Sequence, residues 1–173
     1  MTALYWILGL VAVQRLIELT HARSNTARLR RLGAVEADAG AYPLFVLLHA
    51  GWLTSLAIFV PAETPPNWLL IGLFALLQLG RIWVIVSMDG YWTTRIITLP
   101  DAPLVQTGPF RYLRHPNYLL VVVEIAILPL AFGAVVVAAT FSALNLMLIV
   151  RRIRIEERVL EPNGCCHRSP RSP

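Results

Sequence analysis

The chain has 173 residues, of which 57% are hydrophobic and 14% charged, against the roughly 45–50% apolar and about 25% charged of an ordinary soluble domain. With a mean hydropathy of +0.63, this excludes a disordered tail, a collagen-like repeat, a disulfide scaffold and a large multidomain enzyme, and leaves one integral membrane domain of all-α class. All 15 basic residues are arginine against 10 acids, a net charge of +5; with no aromatic-basic reading motif, that surplus points to membrane topology and not to a nucleic-acid partner.

The first apolar stretch, Leu4 to Leu19, has no basic region before it and no small-residue cleavage site after it, so it reads as a retained helix and not a removable signal. Pro43 to Val60 is a second span and Trp68 to Ser87 a third, the latter supplying the ~20 residues that a bilayer requires. Tyr118 to Val150 is 33 residues long, which as one helix would reach about 50 Å, well beyond a hydrocarbon core of ~30 Å. Pro129, Phe132 and Gly133 fall near its middle, so the run predicts a helical hairpin, 117–131 and 134–160. The total is about five transmembrane helices in one domain, 1–161, followed by a polar tail, 162–173, expected to be disordered.

Thirteen of the fifteen arginines lie between the first and second spans, between the third and fourth, or after the fifth. Short cytoplasmic loops accumulate arginine, so alternate loops are predicted to be cytoplasmic, the N-terminus outside and the C-terminus inside. Arg15 and Arg81 are the exceptions, and with Glu18 and Glu124 they fall inside spans. Charges at such depth either form a functional site or pair with one another to hold the bundle together. Gln14, Gln78 and Asn145 read as interhelical hydrogen-bond partners. His49 is either a general base or a satisfied core histidine. His21 and Trp92 read as interfacial anchors. Cys165 and Cys166 are adjacent and form no disulfide framework; with His167 they offer a weak metal or acylation motif in the tail.

The polar residues with chemical potential concentrate in Met88 to Asn117 and in Arg151 to Glu161, the two segments that flank the final hairpin. These segments are expected to meet. Gly108-Pro109 marks a turn and Pro116 suits the first turn of the fourth helix, so His115 sits at a helix mouth, where free N–H groups suit an anion or a ribose oxygen. Arg152 and Glu156 stand four apart and share a helix face, either as a surface ion pair or as part of a site.

Arg114-His115-Pro116-x-Tyr118, followed by Arg152-x-x-x-Glu156-Glu157-x-x-Leu160, resembles the isoprenylcysteine carboxyl methyltransferase family over about Tyr91 to Leu160. Gln14-Arg15-Leu16-x-Glu18-Leu19, Gly33-Ala34-x-Glu36 and Tyr42-Pro43 resemble a bacterial branch whose members methylate the hydroxyl of alkylpyrones or alkylresorcinols. The resemblance implies a membrane O-methyltransferase that uses S-adenosylmethionine, acts on an amphipathic lipid-like acceptor entering from the bilayer, and works at the cytoplasmic face of a bacterial inner membrane. It implies that Leu104, Val105, His115, Pro116, Asn117, Tyr118 and Glu156 contact the cofactor and that Arg152 is catalytic, orienting the acceptor or lowering the pKa of its hydroxyl. Methyl transfer from a sulfonium requires no metal, in keeping with the lack of a metal-ligand motif in the sequence. Phe110 stands where many members have Tyr, and Leu120 stands where the prenylcysteine enzymes have Gly. The latter favours a polyketide hydroxyl over an isoprenylcysteine carboxylate as acceptor. Two readings of other classes remain: an NADPH-dependent membrane reductase, since sterol reductases carry a similar Arg-His-Pro-Asn-Tyr motif, and a non-catalytic membrane partner. The sequence leaves the oligomeric state open.

Overall fold

The computed structural model describes residues 2–40, 42–99 and 107–164, the side chains of 159–164 excepted. Five helices make up almost all of it: α1 (Ala3–Arg31), α2 (Tyr42–Phe59), α3 (Trp68–Met88), α4 (Pro116–Ala131) and α5 (Val135–Gly164). Two strands of two residues each, β1 (Val35–Glu36) and β2 (Ile97–Thr98), pair antiparallel with Val35 opposite Thr98.

The protein is an all-α membrane protein. Segments within α1, α2, α3 and α5 are each long and apolar enough to cross a bilayer, and α4 is a shorter apolar helix. At about 1.5 Å per residue the 16 residues of α4 reach roughly 24 Å. Two helices extend past their apolar stretches. The helix expected from Leu4 begins at Ala3 and runs on through the polar residues to Arg31, and α5 runs to Gly164, past the expected end at 160 and the domain boundary expected at 161. Residues from Cys165 onward, where the Cys-Cys-His motif and most of the expected tail fall, lie outside the described residues.

Local chemistry sets the ends of these elements. The Asn67 side chain caps α3 by accepting from the N–H groups of Leu69 (3.1 Å) and Leu70 (3.3 Å), satisfying donors that have no partner within the helix. Its own N–H donates to the Ala131 carbonyl at 2.7 Å, which ties the start of α3 to the end of α4. The α4–α5 turn passes through Gly133 at φ 70°, a left-handed conformation that costs glycine little. Pro129 lies inside α4 and has no N–H to give the carbonyl four residues before it, that of Ile125. The buried indole of Trp52 supplies the missing donor, its Nε1 meeting the Ile125 carbonyl at 3.2 Å. That single bond couples α2 to α4 in the centre of the core, beside Leu56, Ile125 and Leu128.

Among the described residues, the arginine-bearing ends of α1 and α5 and the α3–α4 connection meet at one end of the bundle. Arg95 of the α3–α4 connection pairs with Glu36 of the α1–α2 connection (2.6 Å), and Arg151 of α5 approaches Asp38 (3.4 Å). Arg30 also pairs with Glu36. Asn67 and Ala131 mark the opposite end.

The four charges inside the spans pair with one another. Glu124 of α4 accepts from Arg81 of α3, through both Nε (3.0 Å) and Nη2, and from Arg15 of α1 at 2.6 Å. Glu18 accepts from Arg15 at 2.8 Å and from Arg81 at 3.4 Å. Gln14 and Gln78 join the network, bonded to each other at 2.6 Å, with Gln78 bonded on to Glu124 at 3.1 Å. Asn145 departs from the expectation: its side chain is fully buried and neither amide atom has a hydrogen-bond partner among the described residues. Trp92 departs as well, being 2% exposed and stacked on His21 at 5.8 Å, so it packs in the interior and is not an interfacial anchor. The Nδ1 of His49 pairs with the Phe45 carbonyl at 2.8 Å, a partner within its own helix.

Candidate functional site

The site is built where the first turn of α4 meets the polar half of α5. Thr107 ends the preceding loop, and a 3-10 turn, Gly108–Arg111, leads towards α4. Gly108 has φ 59°, and a Cβ there would lie 2.1 Å from the Ser87 hydroxyl oxygen, so only glycine lets this turn pack against the end of α3. His115 then takes the N-cap position of α4 without its side chain capping the helix, and Pro116 opens the first turn. The imidazole is thereby left to face α5.

The polar groups converge on Glu156. Its Oε1 accepts from the Tyr118 hydroxyl and lies 3.4 Å from Arg152 Nε, and its Oε2 lies 3.7 Å from His115 Nδ1. Arg152 Nε also donates to the Tyr118 oxygen at 2.7 Å, so that hydroxyl bridges the arginine and the carboxylate. Arg152 Nη1 donates to the Thr94 carbonyl at 2.8 Å, which fixes the guanidinium from the α3–α4 connection. The imidazole of His115 stacks on the Tyr118 ring, with centroids 5.3 Å apart and an interplanar angle of 18°. The guanidinium lies between two rings, 5.4 Å from the centroid of Phe45 and 5.6 Å from that of Tyr118.

Tyr118 and Glu156 are 38 residues apart in sequence, and the hairpin brings them into contact, as the two flanking motifs predict. Four of the expected site residues, His115, Tyr118, Arg152 and Glu156, share one cluster. Pro116 shapes its rim and is buried. Asn117 points a buried Oδ1 at no partner among the described residues, leaving an acceptor to spare beside the cluster. Leu104 and Val105 lie outside the described residues.

Sequence reasoning missed the contribution of the first third of the chain. A small recess behind Arg152 is lined by Tyr42 and Phe45 of α2, by Asp38 before it, and by Thr94, Arg95 and Ile96. Arg95 stacks over the Tyr42 ring at 4.1 Å while paired with Glu36. The adjacency of Tyr42-Pro43 to a span start was the available signal, but nothing in its spacing tied it to Arg152. Leu120 packs onto Gly80 of α3: a Cβ on that glycine would meet the leucine at 3.2 Å.

The sequence pattern over residues 70–162 matches the family described as isoprenylcysteine carboxyl methyltransferase. Over 164 residues the chain is 34% identical to the uncharacterized protein YpbQ of Bacillus subtilis (strain 168), covering 91% of this chain and 97% of that one. Over 93 residues it is 32% identical to an uncharacterized protein of Haemophilus influenzae, covering 53% of each. No solved structure matches the chain. The matched stretch contains α4, most of α5 and the connection that supplies Thr94, and leaves out Tyr42 and Phe45.

Proposed function

The chain belongs to the isoprenylcysteine carboxyl methyltransferase family, whose methyl donor is S-adenosylmethionine, and we propose that it methylates an ionisable oxygen of an amphipathic, lipid-like acceptor. The observation that carries this reading is the convergence of His115, Tyr118, Arg152 and Glu156 at the mouth of α4. The residues present suit the donor. Glu156 offers a carboxylate to ribose hydroxyls or to the positive sulfonium, and Asn117 has an uncommitted buried acceptor.

When bound, S-adenosylmethionine would supply an electrophilic methyl group for in-line displacement by a nucleophilic oxygen, the S–CH3 bond breaking to leave S-adenosylhomocysteine. The chain's part is to align the acceptor and make its oxygen an anion in a site screened from water. Arg152 is the catalytic residue in this reading. Its Nε and Nη1 are held by Tyr118 and by the Thr94 carbonyl, and Nη2 makes no hydrogen bond among the described residues. A guanidinium held in this way stabilises an enolate, phenolate or carboxylate and favours loss of the acceptor proton. Tyr118 and Thr94 position it.

The presence of Leu120 and the resemblance of the first third of the chain favour the hydroxyl of an alkylpyrone or alkylresorcinol over an isoprenylcysteine carboxylate. The clustering of arginine-bearing segments at one end supports an inner-membrane protein with its C-terminus and active site at the cytoplasmic face and its N-terminus outside. Calorimetry on the detergent-purified full chain tests the cofactor class. S-adenosylhomocysteine is expected to bind, at least tenfold more weakly to Glu156→Ala; binding of NADPH alone would make the protein a reductase, and binding of neither would make it a non-catalytic partner.

A further inference from the structure

The face of α5 turned away from Arg152 carries a second set of arginines that the methyltransferase site does not use. An open groove runs along it, lined by Leu146, Met147 and Val150 and then by Arg151, Arg154 and Arg158. The three apolar residues and the three arginines are exposed. On a helix, Met147, Arg151, Arg154 and Arg158 recur at intervals of three and four, so they form one stripe. Arg151 lies 3.4 Å from Asp38 and is half exposed; neither Arg154 nor Arg158 takes part in an ion pair among the described residues.

This order of side chains matches that of a lipid. The apolar part belongs to a helix long and apolar enough to cross a bilayer, and the cations follow directly where its sequence turns polar, the order expected of side chains that pass from acyl chains to headgroups. Three guanidiniums on one face, each with a fork of donors suited to phosphate oxygens, favour a net anionic headgroup over a zwitterionic one, whose phosphate is balanced by its own cation. We propose that this face of α5 is a binding site for anionic phospholipid, with the headgroup phosphate held by Arg151, Arg154 and Arg158 and an acyl chain lying along Met147 and Leu146. The site stands apart from Arg152 and Glu156, on a different face of the same helix, and does not depend on the reaction assigned to them.

The test reconstitutes the full chain in bilayers of phosphatidylcholine containing a minority of spin-labelled phosphatidylglycerol or spin-labelled phosphatidylcholine, and measures the motionally restricted fraction of each by electron paramagnetic resonance. The wild type is expected to select phosphatidylglycerol, and the preference is expected to weaken with salt. Each near-surface arginine is worth roughly a fivefold factor, so the triple variant Arg151→Gln, Arg154→Gln, Arg158→Gln should lower the relative association constant at least tenfold. A control variant, Arg23→Gln with Arg31→Gln, removes exposed arginines of the polar end of α1 and should leave most of the preference intact. Circular dichroism and S-adenosylhomocysteine binding report whether the triple variant remains folded; if it does not, the single variant Arg154→Gln, expected to lose about fivefold, replaces it. A wild type without lipid preference, a folded variant that retains it, or equal loss in the control would overturn the proposal. So would cross-linking that shows the face covered by a second copy of the chain.

Discussion

Two clusters of arginine and glutamate lie in one bundle, and they differ in how deeply their central carboxylate is buried. In the span cluster, Arg15 and Arg81 face Glu18 and Glu124, two cations against two anions, and two glutamines donate to the carboxylates, while the buried Nε of Arg15 has no hydrogen-bond partner among the described residues. Its central carboxylate, Glu124, is 1% exposed. In the cluster at the mouth of α4, one arginine and one carboxylate share a tyrosine hydroxyl, the carboxylate is 19% exposed, and an imidazole stands nearby. A network centred on a buried carboxylate and shared by three helices holds them together. A network whose carboxylate is partly exposed can accept something from outside.

The sharpest way to break this distinction is to remove the centre of the buried network. Glu124→Ala leaves two buried guanidiniums with Glu18 as their only acid in the cluster, and should cost about 3–5 kcal/mol of stability, read as an earlier loss of helicity during denaturation of the detergent-solubilised protein. Unchanged stability with lost activity would move Glu124 into the site. Arg152→Ala should do the reverse: turnover falls at least a hundredfold, while affinity for S-adenosylhomocysteine stays within about threefold of the wild type, as expected for a group that acts on the acceptor in the transition state. Equal loss of both would make Arg152 a cofactor residue. The smallest effect is expected for Tyr118→Phe, which keeps the ring against His115 but removes the hydroxyl between Arg152 and Glu156. A loss of about 1–2 kcal/mol, seen as roughly five- to thirtyfold in kcat/KM, fits one bridging hydrogen bond to charged partners.

Much of this architecture was legible because it follows from short-range rules. Apolar length marked the spans, Pro129 and Gly133 marked the reversal between α4 and α5, and the spacing of Arg152 and Glu156 put them on one face. Other features depend on partners far away in sequence. A strand of two residues has no periodicity to read, so β1 and β2 were invisible, and with them the fold of the connection that brings the Thr94 carbonyl to Arg152. Phe45 looked like one more apolar residue of α2 until α5 was laid beside it. Trp92 has the composition of an anchor, and its burial against His21 is decided by the 3-10 turn after α3, which the sequence did not announce. Asn145 is different again: its buried amide has no partner among the described residues, and nothing in the surrounding structure explains it.

Hydrogen–deuterium exchange of the full chain in detergent, with and without S-adenosylhomocysteine, locates the ligand without knowledge of the acceptor. New protection is expected in peptides covering 107–118 and 151–156, with none in those around Gln14, Gln78 and Glu124. Protection confined to the span cluster, or spread evenly over the bundle, would contradict the assignment of the α4 mouth as the place where the methyl donor sits.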